Sequence, residues 1–402
     1  MKLKTQSSEK RKDNSKFSNI PFSTDSISPA CKSNLLSAFP NYEKNILMVE
    51  QCGFQFQDTE YENGIIAATL HFVGLFKEQS EDQYNKVVIF NILSLTNFIL
   101  AKESQQDESL YLETSDFQIN IYVGPILQIS RIIFRNYTLS TLSLPKSERI
   151  TIYSYNPSLF PQIDIPFSIS QIFQFRYAAL CAQYGKAYDH SIVQYFHSLM
   201  KSQDPIFNLK HIPNSLDRQQ ILPIFQSLIY IPTIFGISCR NNDTPSIISD
   251  ISPLVAKSAY IRSIKLMNCN SSSDLEVFSQ AISSNNLLPL EELYLNDNEF
   301  EDLSPLINSF TSLQSKMTRL SLNDCGLDDS SLELLGNCLL NAQSLQNLNY
   351  LGIGGTEYSE NSVKNIVKYI QGNNRLFSLD LSGSKNLLPI LKSIPASSVN
   401  DL

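Results

Sequence analysis

The chain has 402 residues, of which 42% are hydrophobic and 17% are charged, so it can bury at least one sizeable core. Its 31 basic and 39 acidic residues give a formal net charge of -8, which provides no positive field for nucleic-acid phosphates. We therefore expect a globular protein that does not bind nucleic acid.

Residues 1–32 are rich in serine and lysine and contain no apolar segment of the kind found in secretory signals. They predict a disordered basic leader on a cytoplasmic protein. The first twenty residues hold six basic and two acidic side chains, which suits contact with anionic lipid. We favour a solvated leader, because the apolar anchors that accompany lipid-binding tails are missing.

The region from about residue 33 to 160 is typical of short strands separated by polar loops. Helical spacing follows in SISQIFQFRYAALCAQYG at 168–185. Strands closed by a helix predict a mostly β, pleckstrin-homology-like domain over 33–185, and 186–203 is expected to be a helical linker. The strands are predicted at 65–76, 86–92, 96–101, 117–123 and 149–155.

The loop KEQSEDQYN at 77–85 bears on what this domain binds. It contains three acidic residues and one lysine, whereas a phosphoinositide site needs several basic groups. The loop therefore favours protein contact or dimerisation over recognition of a lipid headgroup.

The region 204–402 repeats one apolar pattern, most clearly in Leu290, Leu293, Leu295 and Asn298. Copies begin at 234, 261, 290, 317, 348 and 376, at intervals of 27 to 31 residues, after a degenerate copy near Phe207. This period leaves room for a strand and a helix in each copy. It predicts an α/β leucine-rich-repeat solenoid of about six repeats, with parallel strands and outer helices.

In each copy the leucines point inward from the strand, and Asn, Cys or Thr satisfies backbone groups where the chain turns. The apolar stretch 221–239 contains Pro and Gly and therefore predicts a helix followed by a strand rather than a membrane span. We expect Leu402 to lie within an outer helix, leaving the solenoid open at its C-terminus.

Sequence signals for catalysis are missing. Neither phosphate-binding glycine motifs nor metal-binding histidine motifs occur, and seven scattered cysteines form no C-x-x-C pair. We therefore predict no catalytic residue, no cofactor site and no metal site. Cys181, Asp189 and His190 form the nearest approach to a thiol-hydrolase trio, but a polar hinge between domains is the favoured interpretation.

Side chains that alternate with the buried leucines should form an exposed surface on the strands. Such a surface predicts a non-enzymatic, protein-binding scaffold, with activation of a small GTPase as the alternative function. Tyrosine and arginine are the residue types enriched in binding hot spots. The predicted protein-binding residues are Lys265, Tyr294, Asn296, Arg319, Tyr350 and Asp380.

The order of domain, linker and repeats resembles the CARMIL family of actin capping-protein regulators and myosin I linkers. The resemblance is carried by KVVIFNILSLTNFILA, FQFRYAALCAQYGKAY, LEELYLNDNEFED, MTRLSLNDCGLDD and LFSLDLSGSKNL. It implies actin-regulatory partners, homodimerisation and peripheral contact with the cytoplasmic face of the plasma membrane. In that family the capping-protein contacts follow the repeats, so we expect a truncated member.

Overall fold

The computed structural model describes residues 29–40, 43, 46–80, 83–102, 107–160, 167–202, 205–212, 218–240, 247–269, 275–394 and 397–402. They form two compact units, Met1–Pro166 and Phe167–Leu402. The first unit contains a mostly antiparallel sheet and the second a parallel sheet with helices, which confirms the predicted order of a mostly β region followed by an α/β region. The predicted leader lies outside the described residues as far as residue 28, and a helix begins at Pro29.

The described part of the first unit contains two helices and eight strands. The helices are α1 (Pro29–Ala38) and α2 (Ile126–Ser140). The strands are β1 (Met48–Phe56), β2 (Glu62–Ala68), β3 (Phe72–Ser80), β4 (Gln83–Asn91), β5 (Leu95–Lys102), β6 (Glu108–Thr114), β7 (Gln118–Val123) and β8 (Ile152–Ser154). They form one sheet in the order β4-β3-β2-β1-β7-β6-β5-β8, in which only β5 and β8 pair in parallel.

The core of the first unit lies between this sheet and α2. Ile126, Ile129, Ile133 and Tyr137 recur at helical spacing and are buried against apolar residues of the strands. We expected the closing helix at 168–185 instead. The prediction was wrong because both segments have helical spacing, and sequence periodicity does not show which sheet a helix covers.

The predicted strand at 65–76 is two strands. Thr69 interrupts it, because its backbone N–H donates to the Phe72 carbonyl at 2.9 Å while its Oγ1 accepts from the Phe72 N–H at 3.0 Å. This reciprocal pair closes a tight turn between β2 and β3. The strands predicted at 86–92, 96–101, 117–123 and 149–155 correspond to β4, β5, β7 and β8.

The second unit alternates strands and helices. Its helices are α3 (Ile169–Gln183), α4 (His190–Leu199), α5 (Arg218–Leu228), α6 (Ile247–Lys257), α7 (Leu275–Ser284), α8 (Ser304–Ser309), α9 (Asp329–Asn341), α10 (Lys364–Gly372) and α11 (Leu388–Leu391). Its strands are β9 (Ile206–Asn208), β10 (Gly236–Arg240), β11 (Ser263–Met267), β12 (Glu292–Tyr294), β13 (Arg319–Ser321), β14 (Tyr350–Gly352) and β15 (Ser378–Asp380). The strands pair in parallel and in sequence order.

The helices α3 and α4 belong to this second unit. Phe173 of α3 stacks on Phe196 of α4 with 4.0 Å between ring centroids, and both rings join the same buried core as Phe207 of β9. The division between the units therefore lies after Pro166 and not at 185. The segment expected to be a linker is helical, but it packs into the core because its apolar face is buried.

Each predicted repeat start leads into one strand, and the degenerate copy near Phe207 supplies β9, so the sheet has seven strands. Each strand contributes one buried residue to a single row across the sheet, and the helices cover this row within one continuous core. The row consists of Phe207, Ile237, Ile264, Leu293, Leu320, Leu351 and Leu379.

The predicted turn residues do satisfy backbone groups. Asn298 is fully buried, and its Nδ2 donates to the carbonyls of Leu266 at 2.8 Å and Leu295 at 2.6 Å. Its Oδ1 accepts from the N–H of Cys269 at 2.7 Å. One side chain thus joins two consecutive repeats at their turns.

The apolar stretch 221–239 divides into α5 and β10 as predicted. Among the described residues, no helix combines the length and the apolar character needed to cross a bilayer. At the other end of the unit, the backbone N–H of Leu379 donates to the Asp401 carbonyl at 3.0 Å. The prediction that the last residues lie within an outer helix is therefore wrong, since they run alongside β15.

Candidate protein-binding face

Side chains that alternate with the buried leucines cover the face of the seven-stranded sheet that points away from the helices. The strand register places Glu292, Arg319 and Tyr350 in one row across β12, β13 and β14. We call this surface the polar face and define it by Lys265, Glu292, Tyr294, Asn296, Arg319, Ser321, Asn323, Tyr350, Gly352 and Asp380. All six residues predicted from the sequence lie on it.

Two cations share one carboxylate at the β11–β13 end of the polar face. Lys265 Nζ lies 3.1 Å from Glu292, and Arg319 Nε lies 3.7 Å from the same side chain. Partial burial opposes ionisation of Glu292, but hydrogen bonds from Lys265 and Ser263 outweigh it and hold the pKa of Glu292 below its ordinary value. This end therefore carries a fixed, charged triad.

The ring of Tyr294 lies among these charges. Lys265 Nζ is 5.1 Å from the centre of the Tyr294 ring, and Arg319 Nη1 is 3.4 Å from the Tyr294 hydroxyl. The Tyr294 ring also lies 6.0 Å from that of Tyr350, with 32° between their planes. The aromatic pair thus connects the charged triad to the next part of the face.

Asp380 is held in place at the β15 end. Its Oδ2 accepts hydrogen bonds from Asn323 Nδ2 at 2.6 Å and from the Tyr350 hydroxyl at 3.2 Å. Its Oδ1 accepts from the backbone N–H and the hydroxyl of Ser382, at 2.9 and 2.6 Å. Partial burial opposes ionisation, but these donors outweigh it and hold the pKa of Asp380 below its ordinary value.

Glycine at position 352 allows this network to form. Asn323 follows β13, whereas Asp380 belongs to β15, so their hydrogen bond crosses the whole of β14. A Cβ at Gly352 would lie 2.5 Å from Ser321 Oγ and 2.8 Å from Asn323 Oδ1. A larger residue on β14 would therefore push the bridging side chains apart.

Asn296 occupies the edge of the polar face. Its Oδ1 accepts a hydrogen bond from the backbone N–H of Asn323 at 3.3 Å, so it supports the side chain that holds Asp380. Glu292, Ser321, Asn323 and Gly352 were not among the predicted residues. Glu292 had a usable signal, because it precedes Tyr294 by two positions and must share its face.

Ionisation of Asp380 should contribute to folding stability. A carboxyl with a lowered pKa in the folded state stabilises the fold above its unfolded pKa, and the contribution is lost as the pH falls through the folded pKa. We expect Asp380→Asn to be less stable than the unmodified chain at about pH 7, and the difference to shrink as the pH falls through the lowered pKa of Asp380. Urea denaturation over this pH range measures it, and a difference independent of pH would contradict the assigned role.

Cys181, Asp189 and His190 lie on α3 and at the start of α4. Burial raises the pKa of the Cys181 thiol to about 12, so it is protonated and unreactive near neutral pH. Asp189 caps α4, since its Oδ1 accepts from the N–H of Ser191 at 2.8 Å and from the Ser191 hydroxyl at 2.7 Å. These contacts cap the first turn of α4. Because all three residues lie within the second unit, the predicted polar hinge between domains is wrong.

Thiol reactivity tests the burial of the cysteines across the chain. All seven cysteines are buried, so we expect none to react rapidly with a thiol-specific chromogenic disulfide in the native protein. All seven should react once the chain is unfolded in guanidinium chloride. Rapid reaction of one equivalent in the native protein would indicate an accessible thiol and contradict the burial.

Within the parts of the chain that the structure describes, no group of three or more His, Cys, Asp and Glu side chains is placed to hold a metal ion. A comparison of the chain with models of known protein families finds no match.

Proposed function

We propose that this protein is a non-enzymatic scaffold that binds other proteins through the polar face of its second unit. One observation carries the proposal: the six residues chosen from the sequence lie on one face, and hydrogen bonds, ion pairs and ring contacts connect them. Tyr294, Arg319 and Tyr350 are of the types that dominate binding energy in interfaces.

The side chains of the polar face are already partly immobilised, which favours binding. Association costs conformational entropy when side chains are immobilised. Here Arg319 is already restricted by Glu292, Tyr294 by Arg319 and Tyr350 by Asp380. Arg319 remains 47% exposed despite its contacts. A partner would therefore meet a partly ordered surface with an accessible guanidinium group near its centre.

The architecture supports a leucine-rich-repeat solenoid, because each strand is followed by a helix or turn and pairs only with its neighbours in sequence. The antiparallel sheet packed on α2 supports a pleckstrin-homology-like domain in the first unit. The resemblance to the CARMIL family supports a role in actin filament assembly at the cytoplasmic face of the plasma membrane. Membrane contact and homodimerisation stay predictions from that resemblance.

A pull-down from cytosol tests the scaffold directly. The full chain should retain actin-regulatory proteins, and combined Tyr294→Ala, Arg319→Ala and Tyr350→Ala substitutions should reduce recovery at least about tenfold. The matched control replaces Glu333, Lys364 and Lys368, which are exposed on α9 and α10, with alanine and should bind normally. Recovery of the same proteins by both variants would contradict the proposal, whereas faster phosphate release from a small GTPase would support an activator instead.

A further inference from the structure

We infer that the polar face recognises a polypeptide segment with an acidic group at one end and a basic group at the other. The acidic group would face Lys265 and Arg319, and the basic group would face Asp380. This inference rests on the proposed function and specifies the chemistry of the partner. Its basis is an uneven distribution of charge along the sheet.

The β11–β13 end of the polar face has an excess of positive charge. Lys265 and Arg319 both contact Glu292, so two cations share a single anion. Their side chains are 30% and 47% exposed, which leaves donor groups accessible to a partner. In the neighbouring row Arg262 and Glu291 form an ion pair at 3.6 Å, so their charges cancel. A carboxylate from a partner would balance the charge here.

The β15 end has the opposite sign. The four hydrogen bonds described above fix the Asp380 carboxylate, and all come from the uncharged groups of Asn323, Tyr350 and Ser382. The Asp324 carboxylate adds negative charge to this end. It lies beside Gly355 in the turn after β14, where its Oδ1 is 1.9 Å from the position that a Cβ of Gly355 would occupy. A lysine or arginine of the partner would therefore find an oriented carboxylate.

Strand spacing sets the distance between the two ends. Glu292, at the centre of the triad, is on β12, and Asp380 is three strands away on β15. Neighbouring strands are about 4.8 Å apart, and Asp380 lies two residues beyond Ser378, which is in register with Glu292, so the two ends are separated by about 16 Å. An extended chain rises about 3.4 Å per residue and covers this distance in about five residues.

The surface between the two ends is aromatic. The rings of Tyr294 and Tyr350 lie there, over a β14 strand that carries no side chain at Gly352. An apolar side chain of the partner can pack on these rings while its charged neighbours reach the two ends. The inferred ligand is thus an extended segment with an acidic and a basic residue about five positions apart and an apolar residue between them.

Selection from a random linear peptide library displayed on phage tests this ligand class, with the full chain as bait. We expect selected peptides to share the acidic–apolar–basic order. Asp380→Lys should weaken their binding at least about tenfold, and exchanging the basic residue of the peptide for Glu should restore it. Glu333→Lys makes the same charge change on α9 and should have no effect. Asp380→Asn keeps the side-chain shape but removes the charge, and it should also weaken binding of the selected peptides.

The outcomes separate the inference from the proposed function. Suppose selected peptides lose affinity in the combined Tyr294, Arg319 and Tyr350 alanine variant but show no charge order or no response to the Asp380 variants. The face then binds protein, and the inferred ligand is overturned. If no selected peptide depends on those three residues, the proposed binding face itself is overturned.

Discussion

Replacing Leu295 with alanine should lower the free energy of unfolding by about 2 to 5 kcal/mol. Leu295 is fully buried, and its side chain packs within the continuous core between the parallel sheet and its helices. The substitution removes apolar contacts and leaves a cavity that the close-packed repeats on both sides can fill only in part. Because repeats of this kind stabilise their neighbours, the loss should affect the array and not a single repeat.

Leu287→Ala is the matched control for this substitution. It deletes the same atoms from a leucine that is 75% exposed, and it should change stability by less than about 0.5 kcal/mol. Urea denaturation followed by far-ultraviolet circular dichroism measures both variants. Equal losses for the two substitutions would show that Leu295 does not lie in a packed core.

The second large effect is expected at Asn298. Asn298→Ala removes the donor for the carbonyls of Leu266 and Leu295 and the acceptor for the Cys269 N–H. These backbone groups lie in a buried turn, so leaving them without partners should cost about 2 to 4 kcal/mol. Asn298→Asp should not restore stability, because it keeps the acceptor but loses both donors and buries a charge.

Asn308 provides the comparison for Asn298. It is exposed on α8, where asparagine has a lower helix propensity than alanine, so Asn308→Ala should be neutral or slightly stabilising. Both alanine variants are measured by the same denaturation experiment. A loss at Asn298 no larger than at Asn308 would mean that water or the backbone can replace the buried amide.

The second unit was predictable because its signals are local and repeated. Each strand, its two inward leucines and its turn residue fall within about ten positions, and every copy reinforces the same register. The alternation rule then placed Tyr294, Arg319 and Asp380 on one face without knowledge of the fold. The same rule applied two residues earlier would have added Glu292.

The first unit was harder because its pairings are distant in sequence. β1 pairs with β7, for example at Phe54 and Ile121, and no local pattern indicates this contact. The helix α2 was missed because its isoleucines have high β propensity, although they recur at helical spacing. The hairpin at Thr69 depends on a side-chain hydrogen bond that composition alone does not reveal.

The polar network also depends on distant pairings. Asn323 and Asp380 are 57 residues apart, and their hydrogen bond forms only because parallel register sets Gly352 between them. A glycine in a strand is usually taken as a weakness of that strand. Here the missing side chain lets Asn323, which follows β13, donate a hydrogen bond to Asp380 on β15. No pattern within a single repeat predicts this contact.

Site-specific photo-crosslinking measures the use of the polar face most directly. A photoreactive amino acid replaces Asn349, which is exposed next to Tyr350, or in a control Lys364, which is exposed on α10. In an extract of the source cells, we expect position 349 to crosslink a discrete protein, and the combined Tyr294, Arg319 and Tyr350 alanine substitutions should abolish that product. Crosslinking only from position 364, or a product at 349 that survives the alanine substitutions, would contradict binding through the polar face.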